Sequence, residues 1–171
     1  MTVSITIVGV GALGSHLVQF LRSEDVHLRV IDFDRVEAAN LGSQFHGTSH
    51  KGKLKVESIR QLGQFLWGMK IQGTPTKLTK DNMEQLLGGA DLLVDCLDNL
   101  EARSLVQTFA QAQEIPCIHG ALAADGSFGR VAWTPGFVID AEDRAGHPTC
   151  EDGRHLPFIA LTAAHLALAV Q

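Results

Sequence analysis

In the stretch Ile5-Thr6-Ile7-Val8-Gly9-Val10-Gly11-Ala12-Leu13-Gly14, β-branched apolar residues run directly into three glycines at G-x-G-x-x-G spacing. Ala12 to Arg22 then continues with helical character. The pattern predicts a strand, a tight turn and a helix. Gly9 allows the sharp turn, Gly11 admits a phosphate to the backbone, and Gly14 lets the helix pack close to the strand. The free N–H groups and positive end of such a helix favour an anion, and a nucleotide phosphate is the default guest. The same spacing also occurs in strand-to-helix turns that bind nothing. Here the strand before it and the helix after it supply the context that nucleotide binding requires.

Working outward, short apolar runs alternate with helical patterns. His27 to Ile31 reads as a second strand, and Lys53 to Trp67 as a helix with Val56, Ile59, Leu62, Phe65 and Leu66 at helical spacing. Ile71 to Leu78 is a third strand, followed by a helix through Leu87 with Asp81 as its N-cap. Ala90 to Cys96 reads as a buried strand, Leu100 to Gln113 as a helix, and Pro116 to Leu122 and Gly126 to Thr134 as two strands joined by a short turn. Strands alternating with helices predict an α/β fold: a doubly wound, mostly parallel, Rossmann-like sheet with helices on both faces and a mixed far edge. The site is then expected along the edge formed by the strand C-termini. Thr134 to His155, rich in Gly, Pro and charge, is a candidate lid or partner-binding loop, and the apolar run Leu156 to Val170 is a buried or subunit-facing helix.

A chain of 171 residues, 45% hydrophobic and 19% charged, is expected to form one domain with a real core. A net charge of -5 without a Lys/Arg stripe argues against nucleic acid or an anionic membrane as partner, and no apolar run reaches spanning length. Three cysteines, Cys96, Cys117 and Cys150, without C-x-x-C pairing indicate neither a disulfide framework nor a zinc knuckle. With Met1 leading straight into the first strand, a cytoplasmic protein is expected. Cys96 and Cys117 fall in predicted buried strands and are expected to be inert. Cys150 is a candidate thioester- or persulfide-forming residue, or with His147 and His155 a metal ligand, although an ordinary loop cysteine fits the spacing better.

A second motif runs from Ile31 to Gln44. Asp32 ends the second strand eighteen residues after Gly14, where an acid accepts hydrogen bonds from a ribose hydroxyl. This suits ATP and NAD alike. An NAD-dependent oxidoreductase explains the glycines and Asp32 but not Asp34, Asn40, Gln44 and the lysines after them, and the chain offers no tyrosine for a Tyr-Lys pair.

The ordered series G-x-G-x-x-G, D-x-D-x-V (Asp32 to Val36), N-L-x-x-Q (Asn40 to Gln44), the lysines up to Lys55, and Asp95-Cys96-Leu97-Asp98-Asn99 resembles the ThiF/MoeB/HesA family, relatives of the ubiquitin-activating enzymes, from Ile5 to about Val131. The resemblance implies an enzyme that binds ATP and Mg²⁺ and adenylates the C-terminal glycine carboxylate of a small ubiquitin-like or sulfur-carrier protein ending in Gly-Gly. By resemblance, Gly9, Gly11 and Gly14 form the phosphate loop, Asp32 holds the ribose with Asp34 beside it, and Asn40 and Gln44 line the phosphate pocket. Lys55 then contacts the phosphates and Asp98 holds the metal. Attack of a carboxylate on the α-phosphate brings two anions together, which is why a cation and a carboxylate-held Mg²⁺ suit the chemistry. Bland roles exist for each: Lys55 as a solvated helix start, Asp95 as a polar strand end, Asp98 as a helix N-cap, Arg103 as a structural ion-pair partner.

The departures matter as much. Ser43 stands where the family carries a phosphate-clamping arginine, and the helix that delivers a second arginine to a partner's site is not in this sequence. An arginine that stabilises transition-state charge is worth roughly a thousandfold or more in phosphoryl transfer. Arg35, Lys51, Lys53 or a residue of another chain would have to substitute. The alternatives are therefore a homodimer or a heterodimer with a related subunit that completes the site, or a non-catalytic nucleotide-binding subunit.

Overall fold

The computed structural model describes residues 2–123, 125–139, 153 and 155–171. The first strand, β1 (Val3–Val8), buries its last four residues and passes through Gly9 into α1 (Ala12–Phe20). There follow β2 (Val26–Ile31), two short 3₁₀ turns (Ala38–Gly42 and Thr48–His50), α2 (Lys55–Trp67), β3 (Ile71–Thr74), α3 (Met83–Leu87), β4 (Leu92–Asp95), α4 (Leu100–Ala112), β5 (Cys117–Leu122), β6 (Gly129–Trp133) and α5 (Leu156–Val170). The six strands form one sheet in the order β3-β2-β1-β4-β5-β6. Every pairing is parallel except β5 with β6, which is antiparallel. The expected doubly wound, mostly parallel sheet with a mixed far edge is therefore present.

Alternation along each strand divides two cores. Ile5, Ile7, Leu28, Val30 and Val94 pack on one face with Leu13, Leu17, Ile59, Ile159 and Leu166, which brings α1, α2 and α5 to that side. Val8, Ile31 and Leu93 pack on the other with Leu87, Val106 and Phe109 of α3 and α4. Because β2 lies on one side of β1 and β4 on the other, the chain reverses direction at β1, and its crevice opens at the C-terminal ends of β1 and β4. That is where Gly9 and Cys96 meet.

Several element boundaries differ from the sequence expectation, each for a local reason. β3 stops at Thr74 because Pro75 has no N–H to continue the ladder. Asn82, not Asp81, stands at the N-cap position of α3 and does not cap it with its side chain, whose Oδ1 instead accepts from the preceding Thr79 N–H at 2.8 Å. Asn99, not Asp98, caps α4, accepting from Ala102 N–H at 2.9 Å. Cys96 lies one residue past β4 and is partly buried; Cys117 is buried in β5. Burial pushes both thiols up, Cys117 to about 12, which leaves them protonated and inert as expected. In α5, Ile159, Ala163 and Leu166 are buried, while Leu161 and Leu168 face outward. Of the predicted lid, residues 140–152 and 154 fall outside the described residues.

The connection from β2 to α2 is fastened by buried histidines. His16 Nε2 donates to Ser43 O at 2.9 Å, and His46 Nε2 to Val10 O at 3.0 Å. Ser58 Oγ sits 3.0 Å from His46 Nδ1 and 3.0 Å from His50 Nδ1. Burial lowers all three imidazoles from the usual value near 6.5, His46 to about 4. A histidine of this kind takes up its proton more readily in the unfolded chain. Its share of stability is complete above about 6.5 and is lost as pH falls toward 4. Asp32 acts in the opposite sense, since burial raises its carboxyl above the usual 3.8 and its share is lost as pH rises through the folded value. Between pH 7 and pH 4, urea denaturation should show the wild-type chain losing on the order of 3 kcal/mol more than His46→Gln, whose amide cannot titrate but still reaches Val10. Parallel profiles for the two proteins would contradict the assignment.

Candidate active site

The three motif glycines have different jobs. Gly9 adopts φ +90°, and a Cβ there would lie 2.9 Å from Cys96 O. At Gly14 a Cβ would lie 1.9 Å from Gly9 O, so any side chain would drive α1 off the end of β1. At Gly11 an added Cβ would meet only Gln44 Nε2, at 3.8 Å, an ordinary contact. Packing thus leaves room beside Gly11, although its ψ of -136° lies outside the regions that other residues favour, and the open space lies where a ligand would approach the N-terminus of α1.

Asp32 follows the last residue of β2 and is tightly oriented. Its Oδ2 accepts from Val10 N–H at 2.8 Å and its Oδ1 from Asp34 N–H at 2.8 Å. Each oxygen keeps a second lone pair, so the carboxylate can still accept from a ribose. Its raised pKa comes first from burial, opposed by the positive charge of Lys55. Lys55 is buried, not solvated: its side chain is 10% exposed and its Nζ lies 3.1 Å from Asp34 Oδ2. Lys55 N–H also donates to Asp34 O at 2.8 Å, and Arg35 bridges to Leu54 as an isolated β-pair, which together bring the start of α2 to the end of β2. The structure thus places Asp32, Asp34 and Lys55 in one cluster.

Asn40 sits on the first 3₁₀ turn, and Gln44 lies two residues past its end, beside Gly11. Asn40 Oδ1 accepts from Glu37 N–H at 3.0 Å in a reciprocal capping box, so that oxygen serves the turn. Gln44 is 6% exposed and its Oε1 has no hydrogen-bond partner among the described residues, although its amide group lies against Gly11. A buried amide oxygen without a donor is costly unless a ligand or water supplies one. Ser43, at the expected arginine position, is fully buried.

The loop carrying Asp98 is held by a buried ionic cluster. Asp95, wholly buried at the end of β4, accepts from Leu97 N–H at 3.0 Å through Oδ1. Its Oδ2 lies 3.1 Å from Arg103 Nη1 and 2.8 Å from His119 Nδ1. Arg103 Nη2 in turn donates to Leu97 O and to Gly120 O, so both sides of the residue before Asp98 are fixed. His119 Nε2 is 2.6 Å from Thr134 Oγ1, and its ring stacks on Phe137 at 4.5 Å. Removing one member would leave buried charge uncompensated, which is why such clusters hold loops firmly. Arg103 is structural, as expected. Asp98 projects from this loop exposed, with no hydrogen bond or ion pair among the described residues.

The sequence reading missed His16, His46, Ser58 and the Asp95–His119 pair, whose partners are far apart in the chain. His147 and Cys150 lie outside the described residues, and no group of three His, Cys, Asp or Glu suited to a metal occurs among those described. Two small hollows are present among the described residues: about 180 Å³ between Leu54, Arg60 and Pro75, and about 150 Å³ beside Gln44 and Leu62.

Comparison with known proteins agrees with this arrangement. The ThiF family model matches residues 1–169. The molybdopterin-synthase adenylyltransferase of Salmonella typhimurium is 33% identical over 120 residues, covering 68% of this chain and 48% of that protein. The SAMP-activating enzyme E1 of Haloferax volcanii is 32% identical over 124 residues, covering 69% and 45%. The chain thus spans about half the length of the relatives it matches. Among solved structures, that of E. coli MccB with ATP superposes with a TM-score of 0.76 over 98% of this chain and 55% of that one, at 18% identity, a likeness of fold alone. No helix among the described residues is long and apolar enough to cross a membrane. With its glycine loop, Asp32–Asp34–Lys55 cluster and Asp98 loop in this order and on this sheet, the chain belongs to the ThiF family.

Proposed function

We propose that the chain binds ATP with Mg²⁺ and adenylates the C-terminal glycine carboxylate of a small ubiquitin-like or sulfur-carrier protein ending in Gly-Gly. The observation that carries this reading is the open space at Gly11, where an added Cβ would meet only Gln44 Nε2, at 3.8 Å, beside the N-terminus of α1. The names of the adenylyltransferase and E1 relatives supply the reaction class.

In this reading the N-terminus of α1 receives the phosphates, Asp32 accepts from the ribose, and Gln44 Oε1 finds its missing donor in the bound ligand or its water. Asp98 is the residue suited to the metal: an exposed carboxylate free of protein partners, on a loop that touches Gly9 and is rigid at Leu97. Bound Mg²⁺ would neutralise phosphate charge. A carboxylate oxygen of the carrier forms a bond to the α-phosphorus, the bond from that phosphorus to the bridging oxygen breaks, and pyrophosphate leaves with its electron pair. No protein nucleophile and no proton transfer are required. Lys55, released from Asp34 or shared with it, supplies positive charge to the phosphates.

A partner-dependent site is the second reading, and a specific observation favours it. Ser43 is buried, Arg35 is committed to Gly52 O at 2.8 Å, Lys53 to Gln61 at 3.1 Å and Lys55 to Asp34. Among the named substitutes only Lys51, exposed and without a side-chain partner among the described residues, is left to stand in for the absent arginine. A second copy or a related subunit seated on α5, where Leu161 and Leu168 are 57% and 66% exposed, would supply further cations.

Titration calorimetry should show ATP binding that depends on Mg²⁺ and no comparable binding of NADH. Asp98→Ala should abolish the Mg²⁺ dependence with little change in thermal unfolding, and Gly11→Ala should weaken ATP by about tenfold or more. Tight NADH binding without ATP binding, or Asp98→Ala indistinguishable from wild type, contradicts the reading. Light scattering at micromolar concentration should give a dimeric mass for the chain, alone or mixed with its related subunit. A monomer in both cases removes the α5 interface.

A further inference from the structure

We infer that His46 is a positioning residue for the phosphate loop: by holding the carbonyl of Val10 it aims the N–H of Gly11 at the bound phosphate. The inference rests on the nucleotide-binding reading above and adds a residue to it.

Val10 O and Gly11 N–H belong to one planar trans peptide, in which the carbonyl and the N–H point in opposite directions. Whatever fixes the carbonyl therefore fixes the donor. The carbonyl is held by His46 Nε2 at 3.0 Å, and the preceding peptide by Val10 N–H on Asp32 Oδ2 at 2.8 Å. Both peptides flanking Val10 are thus pinned, and the Gly11 N–H has no acceptor among the described residues. An oriented and unspent donor at the start of a helix is what an anion site needs.

The hydrogen-bond chain behind His46 specifies its tautomer. A carbonyl can only accept, so His46 Nε2 carries the hydrogen and Nδ1 must accept. Ser58 Oγ, 3.0 Å away, therefore donates to it, and the same hydroxyl accepts from His50 Nδ1 at 3.0 Å. The three bonds run in one direction, from His50 through Ser58 and His46 to Val10. His46, Ser58 and His50 are 8%, 0% and 9% exposed, so water does not compete for these bonds. Two further bonds, Phe45 N–H to Ser15 Oγ at 2.9 Å and His16 to Ser43 O, fix the segment that carries His46 on α1, but neither reaches the loop. Burial that keeps the His46 ring neutral preserves its single Nε2 donor and its Nδ1 acceptor.

The test compares ATP with adenosine, which lacks the phosphates, by titration of wild type, His46→Ala, His46→Gln and Ser58→Ala. In His46→Ala, ATP affinity should fall by about tenfold or more, the value of one hydrogen bond to a charged group, with adenosine affinity unchanged. His46→Gln, whose amide can still donate to Val10, should restore most of the ATP affinity. Ser58→Ala, which keeps the ring but loses its tautomer partner, should show a smaller loss again confined to ATP. If His46→Ala does not fold, the last two variants carry the test. Equal losses for ATP and adenosine, or unchanged ATP affinity in His46→Ala or Ser58→Ala, overturn the inference while leaving nucleotide binding intact. Absence of ATP binding by the wild type overturns both.

Discussion

The first turn of α1 sits so close to the end of β1 that no atom beyond hydrogen fits between them. A Cβ on Gly14 would be 1.9 Å from the carbonyl oxygen of Gly9, and one on Gly9 would be 2.9 Å from that of Cys96. This double approach locks the helix N-terminus to β1 and the β4 loop to both. It makes the reversal point of the sheet a site: the helix end, the acid at the end of β2 and the loop after β4 all converge there because β1 has β2 on one side and β4 on the other.

Two buried polar networks then stiffen the crevice from opposite sides. Asp95, Arg103 and His119 hold the loop before Asp98, while His46, Ser58 and His50 hold the phosphate loop through Val10. Burying charge and imidazole costs stability unless every partner is present, and here the partners come from four strands or helices and a connecting loop. Among the described residues three groups remain unspent: the Gly11 N–H, the buried Gln44 Oε1 and the exposed Asp98 carboxylate. Binding groups left open on a rigid frame are the structural condition for recognising charge that develops during reaction.

The frame was legible in the sequence because its signals are local. The glycine spacing, the apolar alternation of each strand and the short β5–β6 turn each lie within a few residues, and they yield the sheet and its mixed edge. Of the candidate site, Asp32, Asp34 and Lys55 lie together at the end of β2 and Gln44 lies beside Gly11. What escaped depends on contacts between distant segments. Lys55 lies in a run of lysines that reads as a solvated surface, yet Asp34, twenty-one residues earlier, buries it in an ion pair. His46 and Ser58 have no periodicity that marks them, and only the docking of the β2–α2 connection onto α1 shows what they hold. Asn40 reads as a phosphate ligand, but its oxygen closes the local turn on Glu37, a reversed capping signal hidden among polar loop residues.

Adenylate transfer from ATP to a carboxylate, proposed for this crevice, is tested most directly by isotope exchange between pyrophosphate and ATP. With Mg²⁺, a carrier protein ending in Gly-Gly and, where needed, the related subunit, labelled pyrophosphate should enter ATP, and removal of the carrier's terminal glycine should stop it. Exchange that never rises above background while ATP binds normally would contradict adenylyl transfer and leave this crevice a site that holds nucleotide without using it.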